Sequence, residues 1–324
     1  MNPPEYLDQI DHLLGDEPAP TCNRISALEL LTREIPPRRN LLSPWLAEQS
    51  ISMIYAPRGI GKTHVSMGIT VAAGSGGSFL GWKAERPVKV CFIDGEMPLK
   101  LLQERLSYAI TDIGDPGSNL WFVTPDIQAA GMPDISSAKG QELLAPHIKD
   151  ADLIVVDNLS TLVRSGKEND GDSWQPIQTW ALHQRAAGKS VLLIHHSGKS
   201  GDQRGTSRRE DVLDCSIELR RPGDYDPKEG ARFEIHFRKA RGLYGDDVAA
   251  TEAALITTAT GSRWEVKTVA ESTAQAVARL LSEGMKQHEI AEELCLSKGA
   301  VSKAKKRAQS LGLIVVDGGR RDDD

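Results

Sequence analysis

The apolar positions of this 324-residue chain fall into short unbroken runs separated by stretches with helical spacing. SISMIYA (50–56), VKVCFID (88–94), WFVT (121–124), DLIVVD (152–157) and SVLLIHH (190–196) read as strands buried on both faces. Lys62 to Ala73, Leu99 to Ile113, Ala138 to Lys149 and Trp174 to Ala187 read as helices between them. Such alternation needs crossover connections, so it predicts an α/β fold with a mostly parallel sheet covered on both faces. After residue 212 the rhythm changes. VLDCSIELR, ARFEIHFRKAR, AALITTATG and SRWEVKT read as strands joined by turns, an antiparallel extension at the end of the sheet. Residues 270–316 are helical again.

The pattern divides the chain into an N-terminal arm (1–38), an α/β domain (39–268), a small helical domain (269–318) and an acidic tail (319–324). The arm is acidic and then proline-rich. Its amphipathic stretch, Tyr6 to Leu14, is either part of a tail or an arm that docks on a neighbouring subunit. No internal repeat is present.

The junction of the first strand and first helix carries specific chemistry. APRGIGKT (56–63) follows the phosphate-loop pattern G-x-x-x-x-G-K-[ST], with Ala56 in place of the first glycine. Ala is acceptable there if the position needs no positive φ. Arg58, Gly59, Ile60, Gly61, Lys62, Thr63 and His64 would surround a nucleotide's phosphates. The two glycines let backbone N–H groups curl round the anion. Lys62 reaches the β and γ oxygens, and the helix N-terminus adds positive potential. Thr63 and Asp157, the acid that ends LIVVD, would hold Mg²⁺. Asp94 and Glu96 close another strand. Glu96, past the strand end, is the better placed to orient attacking water. His196 is the candidate to touch the γ-phosphate, with His195 as rival. Adjacent histidines on a strand point to opposite faces, which argues against a joint metal site.

These four elements, in this order, resemble the RecA-type ATPase core. With HHSGKSG…RGTS they resemble the hexameric RepA helicases of broad-host-range plasmids and related mobile-element ATPases, over about residues 40–268. The resemblance implies ATP and Mg²⁺, Glu96 as water activator and His196 as γ-phosphate sensor. It also implies a ring, with sites between subunits, that moves along single-stranded DNA. FRKARGLYG (237–245) looks like the K-x-R-x-G element of DnaB-type ring helicases, which makes Lys239 and Arg241 candidates to reach a neighbour's γ-phosphate. RepA-type proteins keep that Lys and vary the Arg; Arg204 and Arg208 are competing candidates. Two basic loops would line the channel: 158–173, with Arg164 and Lys167, and 197–210, with Lys199, Arg204, Arg208 and Arg209.

KQHEIAEELCLSKGAVSKAKKRAQSLGLIVV (286–316) resembles the helix-turn-helix of bacterial regulators with a short wing. Ser297 is its N-cap, and Lys298 to Ser310 its second helix. Lys298, Ser302, Lys303 and Lys306 would face duplex DNA, with Lys305 and Arg307 beside them. The short plasmid helicases carry no clear counterpart. The reading is therefore an ATP-dependent DNA translocase or helicase, ring-forming and hexameric. The alternatives are an ATP-switched DNA-binding regulator, a recombination mediator that forms filaments on DNA, and a signalling ATPase of the KaiC type.

Composition sharpens the picture. Cys22, Cys91, Cys215 and Cys295 stand singly, as reduced thiols of a cytoplasmic protein do. No apolar run nears the ~18 residues of a membrane span, and the N-terminus lacks a signal-peptide pattern. Aromatics at 5% disfavour a broad base-stacking platform. The net charge of −6 argues against coating nucleic acid by bulk charge. Yet residues 1–20 carry −5 and residues 317–324 carry −2, so the chain between them sums to +1. Its basic groups collect on 197–210, 232–241 and the last helix, which leaves room for DNA at defined places.

Overall fold

The computed structural model describes residues 22–164, 171–196, 210–258 and 261–314. Two compact units divide at Pro37. In the first, helix α1 (Ala27–Thr32) is closed by a capping box between Ser26 and Glu29 and buries none of its side chains. Tyr6 to Leu14, Lys167, Lys199, Arg204, Arg208, Arg209, the wing after Ile314 and the acidic tail lie outside the described residues.

The second unit is built on a nine-stranded sheet. In chain order its members are β3 (Ile51–Ala56), β6 (Val90–Asp94), β7 (Leu120–Val123), β8 (Leu153–Asp157), β9 (Ser190–His196), β10 (Cys215–Arg220), β11 (Arg232–Ala240), β12 (Thr251–Thr258) and β13 (Gly261–Thr268). In space they run β13-β12-β11-β10-β3-β9-β8-β6-β7. From β10 to β7 every pairing is parallel, and from β10 to β13 every pairing is antiparallel. The expected α/β fold with an antiparallel extension is the one found. The short pairs β1 (Asn40–Leu42) with β2 (Leu46–Ala47), and β4 (Ser78–Phe79) with β5 (Trp82–Lys83), have two or three residues per strand, too few for an apolar pattern to announce them.

Alternation along the parallel strands builds two cores. Ile54, Phe92, Val155 and Leu192 meet helix α2 (Lys62–Ser75) on one face. Met53, Ile93, Val156 and Leu193 meet α4 (Ala138–Ile148), the short α5 (Leu159–Leu162) and α6 (Gly171–Ala186) on the other. Helix α3 (Leu99–Ile113) joins α2 through Leu102, Met67 and Val71. Gly68 allows Phe79 to lie against α2, since a Cβ there would stand 2.3 Å from the ring.

Past β13 the chain turns directly into α7 (Val269–Ser282), capped by Thr268 and Glu271. Then come α8 (Gln287–Glu293) and α9 (Lys298–Ser310). Val277, Leu280, Ile290, Leu294 and Val301 form a small core of their own. Ser297 caps α9 by accepting from the Ala300 N–H, and Val301, Ala304 and Ala308 are its buried stripe.

One polar cluster ties β11 to β12. The Arg232 guanidinium binds Glu252 at 3.0 Å, Asp224 at 2.9 Å and Glu229 at 3.0 Å. The Glu252 side chain is only 3% exposed. Arg232→Ala would strand that carboxylate and should cost about 3–5 kcal/mol in urea unfolding. Arg232→Met with Glu252→Leu should recover most of the loss. A single variant as stable as the parent would show that the cluster contributes nothing to folding.

Candidate functional site: a phosphate cleft at the strand ends

Strand parity decides which end residues meet. Ala56, Asp94, Asp157 and His196 continue the alternate positions that face α2. His195 has the opposite parity and is buried on the other side. The register sets His196 beside Ala56 and Asp94 beside Asp157. Gly59, Gly61, Lys62, Thr63, His64, Glu96 and His196 line one cleft of about 470 Å³. Buried Ile60 anchors the loop and also reaches the cleft wall. Arg58 is exposed and stands outside this lining.

The loop's geometry explains its sequence. Gly59 has φ +76° and Gly61 φ +114°, conformations that side-chain-bearing residues rarely adopt. Ala56 is the last residue of a fully buried extended strand, so it needs no glycine. The Lys62 ammonium donates to the carbonyls of Ala56 at 2.8 Å and Pro57 at 2.7 Å. Burial lowers its pKa to about 8, against the pull of Asp157 and Glu96.

The acids divide their roles by position. Asp94 is buried. It accepts from the N–H groups of Glu96 and Met97 and from the Thr124 hydroxyl, at 3.1 to 3.3 Å. Its oxygens are thus committed to shaping the turn, while Glu96 projects exposed into the cleft. Gly95 between them must lack a side chain, because a Cβ would lie 2.1 Å from the Thr161 hydroxyl on α5. Asp157 accepts from Ser66 at 2.7 Å. Burial first, then the charges of Asp94 and Glu96, raise its pKa to about 6, while Ser66 and Lys62 pull it down. A hydroxyl and a buried carboxylate, Thr63 and Asp157, are hard oxygen donors that suit Mg²⁺, which takes its other ligands from phosphate and water.

Lys239 and Arg241 are elsewhere. They sit where β11 ends, and Ala240 pairs with Cys215, which pairs with Ser52 near the start of β3. Four residues of strand, roughly 13 Å, separate that level from Ala56. Lys239 donates to the carbonyls of Glu210 and Asp211, and Arg241 to that of Asp211 at 2.7 Å. On α9, Lys298, Ser302, Lys303 and Lys306 are all exposed. Arg164 is exposed after α5.

Three contributors, Arg105, Arg221 and Tyr225, carry no sequence pattern. Arg105 on α3 lines the cleft. Arg221, just past β10, donates to the Gly59 carbonyl at 2.8 Å and to the Arg232 carbonyl at 2.8 Å. Its guanidinium lies 3.7 Å over the Tyr225 ring, whose hydroxyl donates to the Gly230 carbonyl. Ser66 was legible in principle, three residues after Thr63 on the same helix face.

Two outcomes follow. Glu96→Gln should keep ATP affinity within about threefold while lowering turnover at least ~100-fold; unchanged turnover removes Glu96 from the chemistry. Asp157 has a raised folded pKa, so its ionisation destabilises the fold; that cost is absent below about pH 4, grows as pH rises and is complete above about pH 6. With Mg²⁺ and nucleotide withheld, Asp157→Asn should raise the melting temperature at pH 8, by the equivalent of roughly 2–3 kcal/mol. The gain should shrink as pH falls through that window. A variant no more stable at pH 8 contradicts the electrostatic account.

Among solved structures, the chain is similar to a KaiC-like protein of Pyrococcus horikoshii, at 14% identity and TM-score 0.48, over 71% of this chain and 100% of that one. It is also similar to the flagellar accessory protein FlaH of Methanocaldococcus jannaschii, at 13% identity and TM-score 0.44, over 68% and 91%. No curated protein matches it. The AAA_25 family, described as an AAA domain, matches residues 18–202, more than half of the sequence. With a phosphate loop at the end of β3 and acids at the ends of β6 and β8, the chain is a RecA-like P-loop ATPase and belongs to the AAA_25 family.

Proposed function

We propose that this ATPase is a ring-forming DNA translocase or helicase of a mobile genetic element, each site completed by the adjacent subunit. The observation that carries the reading is the separation of Lys239 and Arg241 from their own cleft. A paired Lys and Arg at the far end of the sheet serves a γ-phosphate only in a neighbour. Lys62 and the loop amides bind the triphosphate, and Glu96 orients water for in-line attack. His196, beside Ala56, registers whether the γ-phosphate is there and passes this to the segment after β9. Thr63 and Asp157 would hold Mg²⁺, which neutralises phosphate charge when bound. The basic loops 158–173 and 197–210 track the DNA backbone in this reading.

The second reading, an ATP-switched DNA-binding regulator, is favoured by one feature. α9 turns Lys298, Ser302, Lys303 and Lys306 outward while burying Val301, Ala304 and Ala308, as a groove-binding helix does.

ATP turnover with and without single-stranded DNA, together with unwinding of a forked duplex, separates the two. The translocase predicts stimulation and strand separation. Sequence-specific duplex binding without either favours the regulator. Arg241→Ala should bind ATP as the parent does yet lose at least ~100-fold in turnover. Retained turnover in the assembled oligomer removes Arg241 from the mechanism.

A further inference from the structure

The chain between β10 and β11, residues 221–231, touches both the phosphate loop and the helical module. At its first residue, Arg221 donates to the Gly59 carbonyl at 2.8 Å. At its far end the strand packs on the loop again: a Cβ on Gly61 would stand 3.4 Å from the Phe233 ring and 3.8 Å from the Ala231 methyl. Two residues after Arg221, Gly223 meets the module. A Cβ on Gly223 would stand 3.0 Å from the Leu294 carbonyl oxygen, so the missing side chain is what lets the two backbones approach. Leu294 ends α8 and opens the turn into α9. At most about 7 Å of chain separates the loop's anchor from its contact with that turn.

The segment is a stiff strap. Arg221 also donates to the Arg232 carbonyl at 2.8 Å, and the Tyr225 hydroxyl to the Gly230 carbonyl at 2.8 Å. Asp226 and Glu229 close a capping box around Pro227–Glu229, and the Arg232 side chain reaches back to Asp224 and Glu229. A strap braced in this way passes a displacement on instead of absorbing it. The turn is braced as well. The Leu296 N–H donates to the Ala291 carbonyl at 2.8 Å, across Cys295 at φ +51°. α8 and α9 therefore follow the turn together.

The module's joint with the sheet is of another kind. Inside, the module is held by apolar contacts among Val277, Ile290 and Val301. Where it meets the sheet there is a cavity of about 60 Å³, with Asp224, Glu234 and Glu252 on one side and Ser272, Thr273 and Ala276 of α7 on the other. A polar, incompletely filled seam yields to displacement more easily than a packed core. Thr268 both ends β13 and caps α7, so the module can pivot there.

Resting on the cleft as a triphosphate site and on α9 as a duplex-binding face, we propose that residues 221–232 carry nucleotide occupancy to the turn between α8 and α9, so that ATP changes the affinity of α9 for duplex DNA. A triphosphate draws the N–H groups of Gly59–Thr63 around it. The Gly59 carbonyl shifts with them, Arg221 follows its acceptor, and Gly223 bears on Leu294. The module then pivots about Thr268 as one body. Linkage requires that duplex DNA change ATP affinity by the same factor.

Hydrogen–deuterium exchange on the full chain tests the strap without DNA. A non-hydrolysable ATP analogue with Mg²⁺ should alter exchange in 221–232 and 287–298 as well as at the loop. A response confined to residues 56–64 overturns the proposal. Affinity for a mixed-sequence duplex should differ at least about fivefold with and without the analogue, and analogue affinity by the same factor with and without duplex. Equal duplex affinity in both states overturns it. Pro222→Gly puts slack between Arg221 and Gly223 and lies outside the phosphate cleft. It should bind the analogue within about twofold of the parent, yet lose the duplex effect and the exchange response at 287–298. A variant that keeps them overturns the strap as the route. An exchange response with no duplex binding in either state brings down the reading of α9 and leaves the strap standing. A chain that binds no analogue brings down the triphosphate reading, and this proposal with it.

Discussion

In a parallel strand buried on both faces, alternate side chains are committed to opposite layers, so a polar residue at the last position goes where the parity of the strand sends it. Four strands here end in phase. Ala56, Asp94, Asp157 and His196 all emerge on the α2 side, above a core of Ile54, Phe92, Val155 and Leu192. Moving any one strand by a residue would exchange its end group for a neighbour of the wrong layer. His195 illustrates the alternative, one position earlier and buried on the opposite face. The apolar interior and the polar cleft are therefore one specification.

That arrangement concentrates like charges at the strand ends. Asp94, Glu96 and Asp157 crowd one end of the sheet; after burial, the Glu96 charge adds to the cost of ionising Asp94, and the Asp94 and Glu96 charges add to that of Asp157. Asp94 offsets part of this by accepting from two backbone N–H groups and Thr124, and Asp157 by accepting from Ser66. Lys62 is a cation beside them whose charge favours ionised Asp157. Its ammonium is bound to the Ala56 and Pro57 carbonyls, which keeps it hydrogen-bonded beside the acids.

Legibility in the sequence followed the strength of local signals. Five parallel strands are marked in the sequence by short apolar runs, although β7, at the sheet edge, buries only Val123; α3 is delimited by its spacing, and α9 by its spacing and the Ser297 cap. The preference for Glu96 over Asp94 comes from strand arithmetic; in the structure Asp94 accepts from the N–H groups of Glu96 and Met97, and Glu96 is exposed at the cleft. The two short hairpins and α5 escaped because two to four residues make no period. Arg105, Arg221 and Tyr225 escaped for a different reason. Their places at the cleft come from how distant segments pack, and a loop arginine at 221 looks like any other surface cation.

The bond from Arg221 to the Gly59 carbonyl carries a consequence for how the loop meets its ligand. A glycine-rich segment left to itself would sample many conformations, and an arriving anion would have to freeze it. Here a guanidinium stacked on Tyr225 and bonded to the Arg232 carbonyl fastens one end of the loop, while Lys62 fastens the other. Most of the ordering entropy is spent when the chain folds. Phosphate contacts can then appear as affinity instead of being consumed in organising their own receptor.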